Sequence, residues 1–299
     1  MIAVPSDSAV LEVARQQRLW SLAANAAKRN ITKWRTIALA LVLAGAVIVT
    51  LAAQVVQISS GLGRFLAVIG GIAAGSIPVI RSARLSKERT RDWTRLRSVS
   101  EGIKSQLYRY LAGVSPYADA DRDDRLRLAA AEIVDGAKDL EPRLVGMTPE
   151  DRPLPAVTDA QSYATDRVDQ QISQYYDPKA LEAKKKLEAA ERVELGLGIA
   201  AVVLGVVAAQ GGIAAAAAWV SVATTATGVL GAYVAAAHYA DNLEAYSTTA
   251  WQLRRLRDEW ASQRQKPGQV VSADEDFVRK CEEVISIENK GWMSKLKSD

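Results

Sequence analysis

The chain has 299 residues, 24% charged and 49% hydrophobic, with a formal net charge of +4 and a mean hydropathy of −0.03. One Cys (Cys281) and one His (His238) exclude a disulfide framework and a Cys/His metal cage within a single chain. A surplus of +4 is too small to imply a nucleic-acid partner, and no cofactor is expected.

The near-zero mean hydropathy hides a segregation of charge. The N-terminal MIAVPSDSAVLEVARQQRLW lacks a basic region followed directly by an apolar one, so no cleaved signal is expected. The first apolar block follows: TIALALVLAGAVIVTLAAQVVQI over 36–58, an SSGLG break, then RFLAVIGGIAAGSIPVI. It reads as a hairpin of two spans, roughly 36–58 and 62–80, each long enough for a hydrocarbon core of about 30 Å. In the second span, Gly70, Gly71, Ala74 and Gly75 form small-xxx-small pairs, best read as a helix-packing surface.

A polar region follows. The stretch RTRDWTRLRSVSEGIKSQLYRYL continues the second span without Gly-Pro punctuation, predicting one long helix leaving the membrane. In DADRDDRLRLAA, Asp119, Asp121 and Asp123 occupy positions 1, 3 and 5 of a calcium loop, but position 6 is Asp124 and position 12 is Ala130. The required Gly and Glu are missing, so the segment reads as an acidic helix start. The densest Pro cluster, MTPEDRPLPAVTDAQ, marks a linker over 146–164, and it divides the chain into repeats 1–145 and 165–299. Within the linker, Thr148 to Asp151 resembles a capping box. Asp177-Pro178 reads as an N-cap with Pro at the first helical position.

The second apolar block, Leu195 to Ala240, contains no Asp, Glu, Lys or Arg. As one helix it would measure about 69 Å at 1.5 Å per residue, more than twice the hydrocarbon core. Gly211-Gly212 beside Gln210 supplies the turn, giving spans of roughly 193–210 and 213–237. On the fourth span Ser221, Thr224, Thr225 and Gly228 share one face, at helical spacing. Such a stripe can line an aqueous pore, since hydroxyls replace part of an ion's hydration, and it can equally serve close helix packing. Beyond it, YADNLEAYSTTAWQLRRLRDEW predicts another long helix, and Ser272 to Glu275 resembles a capping box opening a last helix with an apolar stripe of Phe277, Cys281, Val284, Ile285 and Trp292.

Basic residues flank the spans on one side: Lys33 and Arg35 before the first, Arg81 and Arg84 after the second, and Lys184, Lys185, Lys186 and Arg192 before the third. The hairpin turns hold only Arg64. This asymmetry predicts cytoplasmic termini, and the collars would attract anionic lipid. The fold class expected is therefore an all-α membrane protein with four transmembrane helices, arranged as two parallel-repeat hairpins with long cytoplasmic extensions. With one His there is no nucleophile-base pair, and no catalytic residue is expected.

Two stretches carry a family resemblance: WTRLRSVSEGIKSQLYRYLAGVSPYAD after the second span, and AYSTTAWQLRRLRDEW followed by FVRKCEEVISIENKGWMSKL at the C-terminus. They resemble the SLATT family, two-span effector domains associated with SMODS nucleotidyltransferases and SLOG sensors, here in tandem. The resemblance implies a bacterial inner-membrane effector that forms pores or perturbs the membrane in answer to a cytoplasmic sensor protein or a nucleotide signal; since four spans leave little room for a pore within one chain, conduction would require a homo-oligomer. It brings no catalytic residues. The competing expectation is a non-conducting membrane scaffold that recruits a partner.

Overall fold

A computed structural model describes residues 7–211, 214–266 and 270–298. Among these residues every regular element is a helix. In chain order they are α1 (Asp7–Val55), α2 (Ser60–Arg84), α3 (Lys87–Leu111), α4 (Arg122–Asp135), a 3-10 turn (Lys138–Arg143), α5 (Ala160–Tyr163), two π-helical segments (Ala164–Asp169 and Gln171–Tyr176), α6 (Asp177–Gly211), α7 (Ala214–Ala237), α8 (Tyr239–Arg264) and α9 (Val270–Ser298). Four helical stretches are long and apolar enough to cross a membrane: Ala9–Val55, Ser60–Arg84, Ala160–Gln210 and Ala215–Arg264. The all-α membrane fold expected from the hydropathy is the one observed. Gly212 and Ile213, which include half of the expected Gly-Gly turn, lie outside the described residues.

The chain divides into two compact units that interleave along the sequence. The first comprises 1–29, 88–180 and 244–299, the polar helices. Its core is aromatic. Tyr163 meets Phe277 edge-on at 5.9 Å, Trp260 stacks on Phe277 at 4.6 Å, and Val168, Leu253, Val278 and Cys281 are sealed from solvent around them. The stripe read from the sequence of α9 is this packing face, with Phe277, Cys281 and Ile285 buried and Val284 partly so. The side chain of Trp292 lies outside the described residues. Elsewhere in the unit Trp20, Leu96, Ile103 and Leu126 are buried, and Gln17 donates to Ser100 Oγ at 3.0 Å. Asp119, Asp121 and Asp124 serve Arg125 and Arg127 in ion pairs, in keeping with an acidic helix start.

The second unit comprises 30–87 and 181–243, the spans. Here α1 and α2 form an antiparallel hairpin. The expected break at SSGLG instead falls at Val56–Ser59, and Gly61 and Gly63 are already helical. The physical reason is Gly63 itself: a Cβ there would lie 2.6 Å from the Val56 Cα, so only Gly lets the first turn of α2 close against the end of α1.

Four further expectations are corrected. Thr148–Asp151 opens no helix, because Pro149, Pro153 and Pro155 deny the backbone N–H groups and the φ/ψ a helix needs; residues 147–155 have no regular structure. The helix starts at Asp159, whose carboxylate accepts from the Ser162 N–H at 2.7 Å while Ser162 Oγ accepts from the Asp159 N–H. Asp177-Pro178 is likewise no start, since the helical path already runs from Ala160. The ring of Pro178 would clash with the carbonyl of Gln174 in a regular α-helix, and the wider π-helical segment just before it accommodates that. Ser272 lies inside α9, and Asp274 accepts from Trp260 Nε1 at 2.7 Å instead of capping. Finally, neither exit from the membrane is one continuous helix. Leu85-Ser86 separates α2 from α3, and His238, at φ 52°, separates α7 from α8.

Candidate functional site

The helix bearing the hydroxyl stripe is apolar all round, as a membrane span must be. One face of α7 is packed, with Ala216 and Ala223 buried. Gly231 on that helix lies against Glu194 of α6, so that a Cβ on Gly231 would come 3.4 Å from Glu194 Oε1. Ser221, Thr224, Thr225 and Gly228 lie together on the opposite, exposed face, and nothing lies within 4 Å of a Cβ built on Gly228. Thr224 Oγ1 donates to the Val220 carbonyl at 2.9 Å and Thr227 Oγ1 to that of Ala223 at 3.1 Å, which satisfies hydroxyls with no neighbour to bond. Packing within the chain therefore leaves this stripe uncovered.

The small residues of α2 divide. Gly70 is buried, and a Cβ there would meet Val49 Cγ2 at 2.6 Å; Gly45 of α1 sits over the Gly70 carbonyl and Ala73 at 3.6 Å. Gly71, Ala74 and Gly75 are exposed, and nothing surrounds Gly71 or Gly75 within 4 Å. Sequence reasoning missed Gly45 and Gly63, although their spacing from other small residues carried the signal.

The basic collar is more structured than a row of topology signals. Arg84 sits over the Trp34 ring at 5.2 Å and Lys186 over Tyr239 at 5.4 Å, while Arg35 lies beside Tyr233 and Tyr239. Lys186 also pairs with Glu182 at 2.6 Å, and Lys184 and Arg192 both pair with Glu188. Lys33, Arg81 and Lys185 are exposed. Cations over aromatic faces at the ends of spans make an interfacial belt.

In the polar unit, sequence reading overlooked the most buried charges among the described residues. Arg167, on the first π-helical segment, pairs with Glu282 of α9 at 3.1 Å, and their side chains are only 2% and 4% exposed. Tyr163 donates its hydroxyl to Glu282 at 2.9 Å, and the guanidinium lies 4.3 Å from the Tyr108 ring centre. Burial alone would lower the Arg167 pKa, but Glu282 and Tyr163 outweigh it and raise it further. Burial first, then the Glu282 charge, pushes the Tyr163 phenol and the Cys281 thiol well above their ordinary values. Cys281 is thus an inert buried thiol. Among the described residues no group of His, Cys, Asp or Glu could hold a metal ion.

Against known families, residues 163–292 match the SMODS and SLOG-associating 2TM effector domain 1, and residues 17–125 match DUF4231, a family of unknown function. No curated protein and no solved structure matches the chain. The match over 163–292 spans α6, α7 and the exposed hydroxyl face; the match over 17–125 spans the α1/α2 hairpin. Residues 163–292 are a SLATT-type two-transmembrane effector domain, and with the DUF4231 match at 17–125 the chain is consistent with two SLATT-type domains in tandem.

Proposed function

We propose that the protein is an oligomeric membrane effector of a bacterial conflict system, with cytoplasmic termini in the inner membrane, that passes ions or small solutes through a path formed between copies. The observation that carries this reading is the uncovered α7 face of Ser221, Thr224, Thr225 and Gly228. Four helices of one chain are too few to enclose a path, so the hydroxyls would face water only where further copies close a ring. No catalysis is assigned. The collar of Arg81, Arg84, Lys184 and Lys185 would hold the assembly in anionic lipid.

The test is replacement of Thr224 and Thr225 together by Val, which changes shape little. If the face lines water, the narrow path becomes apolar and flux from liposomes falls while oligomer mass is kept. If the hydroxyls only bridge packed helices, each loss costs about 0.6 kcal/mol and mild destabilisation is the main effect. Wild-type flux with an unchanged oligomer removes the stripe from the path. An oligomer that passes nothing under any trigger favours the scaffold.

A further inference from the structure

At the membrane boundary of the second unit, a guanidinium and two phenols converge from both hairpins. Arg35 of α1 is half-buried and stands directly before the apolar run beginning at Thr36. Beside it lie the phenols of Tyr233, near the end of α7, and Tyr239, the first residue of α8. Lys186 of α6 sits over the Tyr239 ring at 5.4 Å while pairing with Glu182, and Arg84 of α2 sits over the ring of Trp34, next in sequence to Arg35, at 5.2 Å. Among the described residues Arg35 itself makes no ion pair and no hydrogen bond through its side chain.

The convergence depends on a break in the backbone. Six residues apart on one unbroken helix, Tyr233 and Tyr239 would point about 120° away from each other. His238, at φ 52°, ends α7 between them and brings the two phenols within reach of each other. The break is held on both sides. Asn242 donates its side-chain amide to the Ala237 carbonyl at 3.2 Å and its backbone N–H to the His238 carbonyl at 2.9 Å, while His238 Nδ1 lies 3.0 Å from Asp241 Oδ2. A left-handed backbone is costly for a residue with a Cβ, and such strain is kept where it shapes a site.

We propose that Arg35, with the hydroxyls of Tyr233 and Tyr239, binds the phosphate of an anionic phospholipid, one per chain. The guanidinium offers a planar fork of five donors that fits two phosphate oxygens at once, and the phenols beside it supply further donors. A soluble phosphate monoester shares this chemistry. The level of the site selects the lipid, since a phosphate on Arg35 leaves its acyl chains alongside the apolar residues that start at Thr36. Arg84 and Lys186 disfavour a headgroup that carries its own ammonium. The exposed cations Lys33, Arg81 and Lys185 attract anionic lipid without fixing it, whereas Arg35 and the phenols hold one molecule in place.

The inference rests on the membrane location and not on conduction, so binding is read without flux. The full chain in mild detergent is exposed to phosphatidylglycerol, to phosphatidylcholine and to glycerol 3-phosphate, and the ligand retained per chain is counted by native mass spectrometry. One phosphatidylglycerol per chain is expected, with phosphatidylcholine and glycerol 3-phosphate retained about tenfold less. Arg35→Gln should lower retention about tenfold, Tyr233→Phe with Tyr239→Phe several-fold, and Arg81→Gln not at all. Arg35→Lys, with the charge but not the fork, should fall between wild type and Arg35→Gln, a grading that loss of folding does not produce. His238→Gly should keep the lipid, because Gly takes the left-handed backbone freely, whereas His238→Val should lose it. Retention unmoved by Arg35→Gln, equal retention of phosphatidylcholine, or glycerol 3-phosphate held as firmly as the lipid would each overturn the proposal.

Discussion

The Arg167–Glu282 pair allows a quantitative test of what holds the polar unit together. Replacing Glu282 by Ala leaves the Arg167 guanidinium in a site 2% exposed without its paired carboxylate, and deprives the Tyr163 hydroxyl of its acceptor. Removing one partner of a buried pair costs about 3–5 kcal/mol, two to more than three powers of ten in the closed-to-open ratio. The triple variant Arg167→Met, Glu282→Leu and Tyr163→Phe removes the buried charges and the Tyr163 hydroxyl together and strands only the part-buried Gln171 amide oxygen, so most of that loss should be regained. Cys281 provides the assay. It is the only Cys in the chain, is completely shielded, and adjoins Glu282, so its modification rate by an aromatic disulfide reports opening of this core. The expected order of rates is Glu282→Ala far above both the triple variant and the wild type. A rate in Glu282→Ala within threefold of wild type, or a triple variant as labile as the single one, would refute the electrostatic account.

Other consequences are as direct. Gly45→Cys with Ala73→Cys, in a chain with Cys281→Ala, should form a disulfide readily, because the Gly45 Cβ position lies 3.6 Å from Ala73 Cβ, inside the range of about 3.5–4.5 Å that a bridge needs; gel mobility with and without reductant reads it. Adding Gly63→Val should abolish the bridge, since the Val56 backbone must then move; unchanged yield would show that the turn does not set the hairpin's register. Cys281 and Tyr163 hold their protons more firmly folded than unfolded, so their contribution to stability is intact below the unfolded values and falls as pH rises above about 8.5; denaturation midpoints that do not fall in that range would contradict the burial argument. A Cys at Ser60, in the same Cys281-free chain, should react with an impermeant thiol reagent added outside cells and one at Ser98 should not, and the reverse pattern would invert the proposed orientation.

What could be read from the sequence was what local composition decides. Uncharged runs of 16 or more residues have few fates other than a membrane, so all four spans were legible, as was the α9 stripe of Phe277, Cys281 and Ile285. The errors fell where local signals compete with neighbours distant in sequence. A capping box at Thr148 is a fair signal until three prolines within seven residues are weighed against it, and Asp177-Pro178 starts a helix only if no helix arrives from Ala160. The π-helical segments left no pattern, because one extra residue per turn is a response to packing. Arg167 and Glu282 lie 115 residues apart, and nothing in either neighbourhood announces the other.

The two hairpins also differ in a way that hydropathy could not express. In the first, Gly45 and Gly70 face atoms of the opposite helix and Gly63 closes on Val56 of the turn, while Gly61, Gly71 and Gly75 are open. In the second, Gly231 approaches Glu194 of α6, while Gly196, Gly198, Gly205 and Gly228 have nothing within 4 Å of an added Cβ. Lipid offers no hydrophobic drive for helices to associate, so close approach at small residues and shared hydroxyl bonds must supply the attraction. A glycine already packed has contributed that attraction within the chain, and an open one still holds it in reserve. In the assembly proposed above, the open glycines of α6 and α7, with the threonines of α7, would offer the larger surface to other copies, whereas Gly45 and Gly70 are already used between α1 and α2. Substituting Gly198 and Gly205 by Leu should therefore lower oligomer mass without weakening the Gly45–Ala73 crosslink. Loss of the crosslink with retention of the oligomer would assign the two roles the other way round.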